Sequence, residues 1–205
     1  MSRRRALVLA IAAVWGLLSL GYGAQARTAG QSHAGRTSAA QVRVDAGVSR
    51  GYATAVLSGL RFRPARLNYT VIFRAESRPQ RAITVNSERT ITLYLRPGQS
   101  VALSRKVLAY EMGHVLDFWC GTKTTRQAWL RVRHAARGTH WWAPDEKPEW
   151  AYGSGDYADV FSVWATGSDL GYVSTVAPLP TAVQLHDLRP AFACSPNATP
   201  DYAAP

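Results

Sequence analysis

Long apolar runs, acidic residues and cysteines are all scarce in this chain of 205 residues. Each shortage narrows the reading. The only long apolar run, Ala6 to Leu20, is shorter than the roughly 20 residues a membrane-spanning helix needs, and no other stretch can span a bilayer. No repeat and no long low-complexity tract is present. An apolar fraction of 47% with 18% charged residues therefore reads as a folded domain rather than a disordered chain. Acidic residues number 13 against 24 lysines and arginines, a formal charge of +11, so an acidic character is excluded. Two cysteines, Cys120 and Cys194, allow one intramolecular disulfide at most.

The apolar run has a definite context. Arg3, Arg4 and Arg5 precede it, and Ala24, Gln25 and Ala26 follow as a small-x-small site. This is the layout of a secretory signal peptide spanning residues 1–26, with an uncleaved N-terminal membrane anchor as the alternative. Its removal leaves 21 basic against 13 acidic residues, a mature charge of +8. Such a protein is expected outside the cell, where anionic wall polymers or membrane surfaces are natural counter-charges and salt weakens the attraction. Export also makes a Cys120–Cys194 disulfide the expectation, against two buried free thiols. Closing so long a loop is worth roughly 4 kcal/mol in chain-entropy models.

Residues 27–41 are Gly, Ser, Ala, Gln and Arg with few large apolar side chains, and read as a flexible lead-in. A single domain then follows over residues 42–195, with a loose tail at 196–205. Helical spacing over Ala46 to Leu60 predicts an amphipathic helix. Leu67 to Phe73, Ile83 to Asn86 and Ile91 to Leu95 are rich in β-branched and aromatic residues and predict three strands, antiparallel or mixed. Ser100 is placed to cap a helix that ends near Gly121. A further helix over Thr125 to Ala136 puts Trp129, Leu130 and Val132 inwards and Arg126, Arg131, Arg133 and Arg137 outwards. None of the nucleic-acid-binding motifs is present, so this arginine helix reads as a solvated face, and DNA or RNA binding would rest on charge alone. Gly138 to Gly155 is too rich in Pro, Gly and Trp for regular structure. A loop of that length in a compact domain is usually functional, and Trp141, Trp142 and Trp150 either rim a cleft or cover the core. Asp156 to Thr166 and Thr181 to Leu188 return to helical spacing.

One stretch looks like a chemical device: Leu108 to Trp119, LAYEMGHVLDFW. On a helix, Tyr110 and His114 lie one turn apart with Glu111 beside them and Asp117 a further turn along. Leu108, Met112, Val115 and Trp119 form the buried stripe. Gly113 in mid-helix costs about 1 kcal/mol relative to alanine, which suggests a close approach to the backbone there. The residues alone also allow a plain half-exposed polar face with His114 bonded to Asp117.

With its Glu-x-x-His core, a strand before it and the acidic helix DYADVF after it, the stretch resembles the zincin metallopeptidases, whose helix carries H-E-x-x-H; tyrosine stands in place of the first histidine. The resemblance spans roughly residues 67–166. It implies an α+β fold with a small mixed sheet packed on the active-site helix and a second acidic helix. It further implies a zinc-dependent hydrolase acting on peptide or protein substrates. In that family's chemistry a glutamate activates metal-bound water, and two imidazoles and a third ligand hold the ion. Carried over, Glu111 is the general base, His114 a zinc ligand, Asp156 or Asp159 the third ligand or the acid that orients one, and Asp117 a supporting acid. Tyr110 departs from the pattern, because a neutral phenol must lose a proton near pH 10 to bind metal. Three outcomes follow: a tyrosinate ligand, a carboxylate-rich site around His114, or a shell without metal that serves as a binding protein. His134 and His140 are conceivable replacement ligands, or simply solvated.

Overall fold

The computed structural model describes residues 42–144 and 147–194. The expected signal peptide, lead-in and tail lie outside them. Within the described residues no helix is long and apolar enough to cross a membrane.

The fold is mixed α/β, with one small sheet and five α-helices among the described residues. The strands are β1 (Val42–Val44), β2 (Thr70–Arg74), β3 (Ala82–Val85) and β4 (Thr90–Tyr94), in the order β1-β2-β4-β3. β1, β2 and β4 run parallel, and β3 closes the sheet as an antiparallel edge. The three expected strands are present, and β1 is additional. It is a short and largely exposed VRV segment, too brief for alternation to mark it. Leu67 belongs not to β2 but to a 3-10 turn, Pro64–Leu67, which ends on Asn68 at φ +55°. Proline presets such a turn and asparagine tolerates the left-handed region.

The register fixes which side chains face the helices. Val71 pairs with Ile91 and Phe73 with Leu93, while on the other side of β4 Thr84 faces Ile91 and Ala82 faces Leu93. Val71, Phe73, Ile91 and Leu93 are fully buried, in one core with Leu108, Met112 and Val115. Those three come from α2 (Val101–Cys120), whose N-cap is Ser100 and whose C-cap is Gly121, as the sequence predicts.

The first helix, α1 (Arg50–Ser58), is shorter than expected. Gly47 has φ +88°, and Ser49 caps the helix by accepting from the Tyr52 N–H, so Val48 packs on the core from a loop. The arginine helix α3 (Lys123–Val132) also ends early. Here the inward and outward assignments need correction: Val132 is exposed, whereas Arg133 is buried at 2% exposure just past the helix end. A buried guanidinium requires a partner, and Asp156 supplies it.

α4 (Gly153–Thr166) crosses α2 in the middle of the molecule. The expected close approach occurs at Gly113: a Cβ there would lie 2.7 Å from the Cα of Ala158 on α4. The helix begins earlier than its acidic residues suggest, because loop carbonyls of His140 and Trp141 accept the N–H groups of Gly153 and Ser154, two of the donors that every helix start leaves open. Part of the expected irregular loop is thus a 3-10 turn, Glu149–Ala151, followed by the first turn of α4. α5 (Ala182–Leu188) and a 3-10 turn, Arg189–Phe192, follow and add Leu188 and Phe192 to the core. Cys120 and Cys194 form the expected disulfide, with a Cα–Cα distance of 6.2 Å.

Candidate functional site

α2 carries Lys106, Tyr110 and His114 at successive four-residue steps, so all three lie on one face. The Tyr110 and His114 rings meet edge to face with centroids 4.8 Å apart. Two elements bring partners to this face. From the edge strand, the Thr84 hydroxyl donates to Glu111 Oε2 at 2.6 Å. From the turn before α4, Glu149 places Oε1 2.8 Å from the Tyr110 hydroxyl, which donates to it, and 3.4 Å from His114 Nε2. The second is an ion-pair distance without hydrogen-bond alignment, so the buried Nε2 atom has no hydrogen-bond partner.

Electrostatics follow from the arrangement. Burial, reinforced by Glu149, raises the Tyr110 phenol well above its ordinary value, so the hydroxyl stays protonated and acts as a donor. Burial alone would depress His114, but the carboxylates of Glu149 and Glu111 prevail and raise the imidazole to about 9. It is an imidazolium at neutral pH. Burial opposes ionisation of Glu149, yet His114 and Tyr110 outweigh it and hold that carboxyl below its usual range. Burial pushes Glu111 up, with His114 and Thr84 pulling the other way.

Asp156 and Asp159 do not join this group. Both are fully buried on α4. Asp156 accepts from Arg133 Nε at 3.0 Å, Arg133 Nη2 at 3.1 Å, Trp129 Nε1 at 2.8 Å and the Ser174 hydroxyl at 2.7 Å. Asp159 is ion-paired with Lys106 through Oδ1 and accepts the backbone N–H groups of Val173 and Ser174 through Oδ2, at 2.7 and 2.8 Å. Asp117, expected beside His114, instead accepts from Arg126 Nε at 3.0 Å and Trp141 Nε1 at 2.8 Å. Trp141 is thereby tied inwards, whereas Trp142 is half exposed under the Arg126 guanidinium. His134 and His140 are exposed.

No family model, curated protein or solved structure matches the chain. What the site can hold is therefore decided by its donor set. Among the described residues, no three His, Cys, Asp or Glu side chains are gathered so as to bind a metal ion. Tyr110 is a protonated donor, Asp159 is occupied by an ammonium and two N–H groups, and Asp156 by a guanidinium, an indole and a hydroxyl. His114, Glu149 and Glu111 remain; Glu111 is the base rather than a ligand in the resembled chemistry, which leaves one imidazole and one carboxylate, short of the three protein ligands of a catalytic zinc site. The residues present do not fit the metal that the resemblance implies.

Three residues that matter here were missed in the sequence, Thr84, Lys106 and Glu149, and Arg133 was placed outwards. Lys106 had a visible signal, lying one turn before Tyr110. Glu149 had a weaker one. It sits in the Trp-rich loop between Pro148 and two glycines, and a Cβ on Gly155 would lie 2.2 Å from the Glu149 carbonyl oxygen. Glycine there lets the turn lie against α4.

Proposed function

We propose that this chain is an exported, zincin-like binding protein that holds an extended peptide beside the Glu111–His114 pair and does not hydrolyse it. The observation that carries the reading is the occupation of the acids around α2 by the chain's own protons and cations: the Tyr110 hydroxyl on Glu149 and the Lys106 ammonium on Asp159. A hydrolase of the resembled type needs those positions for ligands. Support for the shell comes from the edge strand β3 alongside the motif helix and from the close crossing of α4 at Gly113. The N-terminal signal layout and the Cys120–Cys194 disulfide support export.

Binding follows from the side chains on this face. As the sheet's edge, β3 has no strand partner on its outer side among the described residues, and an extended segment adds to such an edge through main-chain hydrogen bonds. The His114 imidazolium offers a charge-assisted N–H to a peptide carbonyl, stronger than a neutral donor, while Glu111 accepts an N–H. Metal content is the test. The purified mature chain is expected to carry no stoichiometric transition metal. Tyr110→His, which adds an imidazole beside His114 and releases Glu149 from the phenol, is expected to gain zinc. Stoichiometric zinc in the unaltered protein would overturn the reading in favour of a metallopeptidase.

A further inference from the structure

Arginines crowd the approach to β3, and their partners divide them into two kinds. Arg74 is paired with Asp45, and Arg78 with Glu76. Arg81 and Arg96 have no acidic partner among the described residues. Arg81 immediately precedes β3, and its Nη1 donates to Gln99 Oε1 at 2.9 Å. Gln99 is itself fixed, since its Nε2 donates to the Ser104 hydroxyl at 2.7 Å, so its oxygen is the atom turned to Arg81. Arg96 uses Nη2 to hold the carbonyls of Arg78 and Pro79, at 2.7 and 2.9 Å, and leaves a buried Nε without a partner.

The backbone brings the two residues to one end of the β3–β4 pair: the Tyr94 N–H donates to the Arg81 carbonyl at 2.8 Å, and Arg96 lies two residues beyond Tyr94. Burial first, and then the charge of Arg96, lowers Arg81 from its ordinary value. Nothing acidic in the first turn of α2 offsets them. Two unneutralised like charges cost free energy, and an incoming carboxylate relieves that cost. Bidentate geometry makes arginine suited to that anion.

We infer that the peptide partner of β3 is acidic, with a glutamate or aspartate side chain seated at Arg81 and Arg96. The inference rests on the binding role proposed above and names its specificity. Arg81 stands three residues before Thr84, and a strand rises roughly 3.3 Å per residue. The acidic residue of the partner is therefore about three positions from the residue that lies against the Glu111–His114 pair.

Two fluorescent pools of short, end-blocked peptides test this by anisotropy at physiological ionic strength. Their variable positions are uncharged, and one fixed position is Glu in the first pool and Gln in the second. The unaltered protein is expected to bind the Glu pool about 10-fold more tightly, the scale of one charge-assisted contact. Arg81→Gln, with an unchanged melting temperature, is expected to bring the two pools level. Equal binding of both pools by the unaltered protein overturns the acidic specificity and leaves the peptide-binding role standing. Binding of neither pool overturns that role itself. Persistence of the Glu preference in Arg81→Gln removes Arg81 from the site and overturns the inference.

Discussion

Two pairs of carboxylates lie on α2 or on the elements packed against it, and the fold treats them in opposite ways. Asp156 and Asp159 are fully buried and each is met by a cation and by further donors. Glu111 and Glu149 are only partly buried, and their neighbour His114 keeps an unaligned Nε2. The first pair has no capacity left for a ligand. Saturated acids of this kind hold elements together, here α4 to α2, to the residue just past α3 and to the segment around Val173. The second pair retains capacity at the edge of the sheet. A carboxylate in a site-like position is thus no guide to function until its partners are known.

The largest effect belongs to the saturated pair. Asp156→Ala leaves Arg133 buried and uncompensated, a loss of about 3–5 kcal/mol, read as a fall in melting temperature. Glu149→Gln should cost far less, and equal losses would erase the distinction between the pairs. Next comes the contact that brings the two acidic sets together. Gly113→Ala drives a Cβ towards the Ala158 backbone, and overpacking of this kind costs about 1–3 kcal/mol in denaturant unfolding.

A third prediction sharpens the electrostatic side. His114 titrates at about 9 in the folded protein against an ordinary 6.5. A folded value above the unfolded one means that the stabilisation is complete below pH 6.5 and is lost as pH rises through about 9. In Glu149→Gln the imidazole value, followed by NMR, should fall towards the ordinary one, and the decline in stability between those limits should flatten. Tyr110→Phe should have the smallest effect. It removes one hydrogen bond worth about 0.5–1.5 kcal/mol and leaves His114 titrating high, because Glu149 still faces it.

Much of the frame is legible in local chemistry. Ser100 and Gly121 bound α2 because a hydroxyl satisfies open N–H groups and a glycine ends the helix readily. Gly113 announced a close crossing because glycine in mid-helix is otherwise a cost. The strands at Ile83 and Ile91 follow their β-branched runs. The site was legible only in part. Tyr110, Glu111 and His114 share a helix, so spacing places them together. Glu149 and Thr84 come from other elements and join them only through a loop turn and a sheet register. Arg133 was misplaced outwards because helical spacing gives a direction only as far as the helix continues, and α3 ends at Val132.

By itself, then, the sequence determined the main elements, the motif helix with a buried stripe of Leu108, Met112 and Val115 that Trp119 joins only in part, the basic charge and the cysteines available for one disulfide, since each rests on neighbours within a few positions or on composition. Tertiary structure alone decided which acid meets which donor. It assigned Asp159 to Lys106, Asp156 to Arg133 and Glu149 to Tyr110 across separations of 53, 23 and 39 residues. The physical reason is that burying a charge requires a partner in space, and the chain's path sets that partner rather than any local pattern.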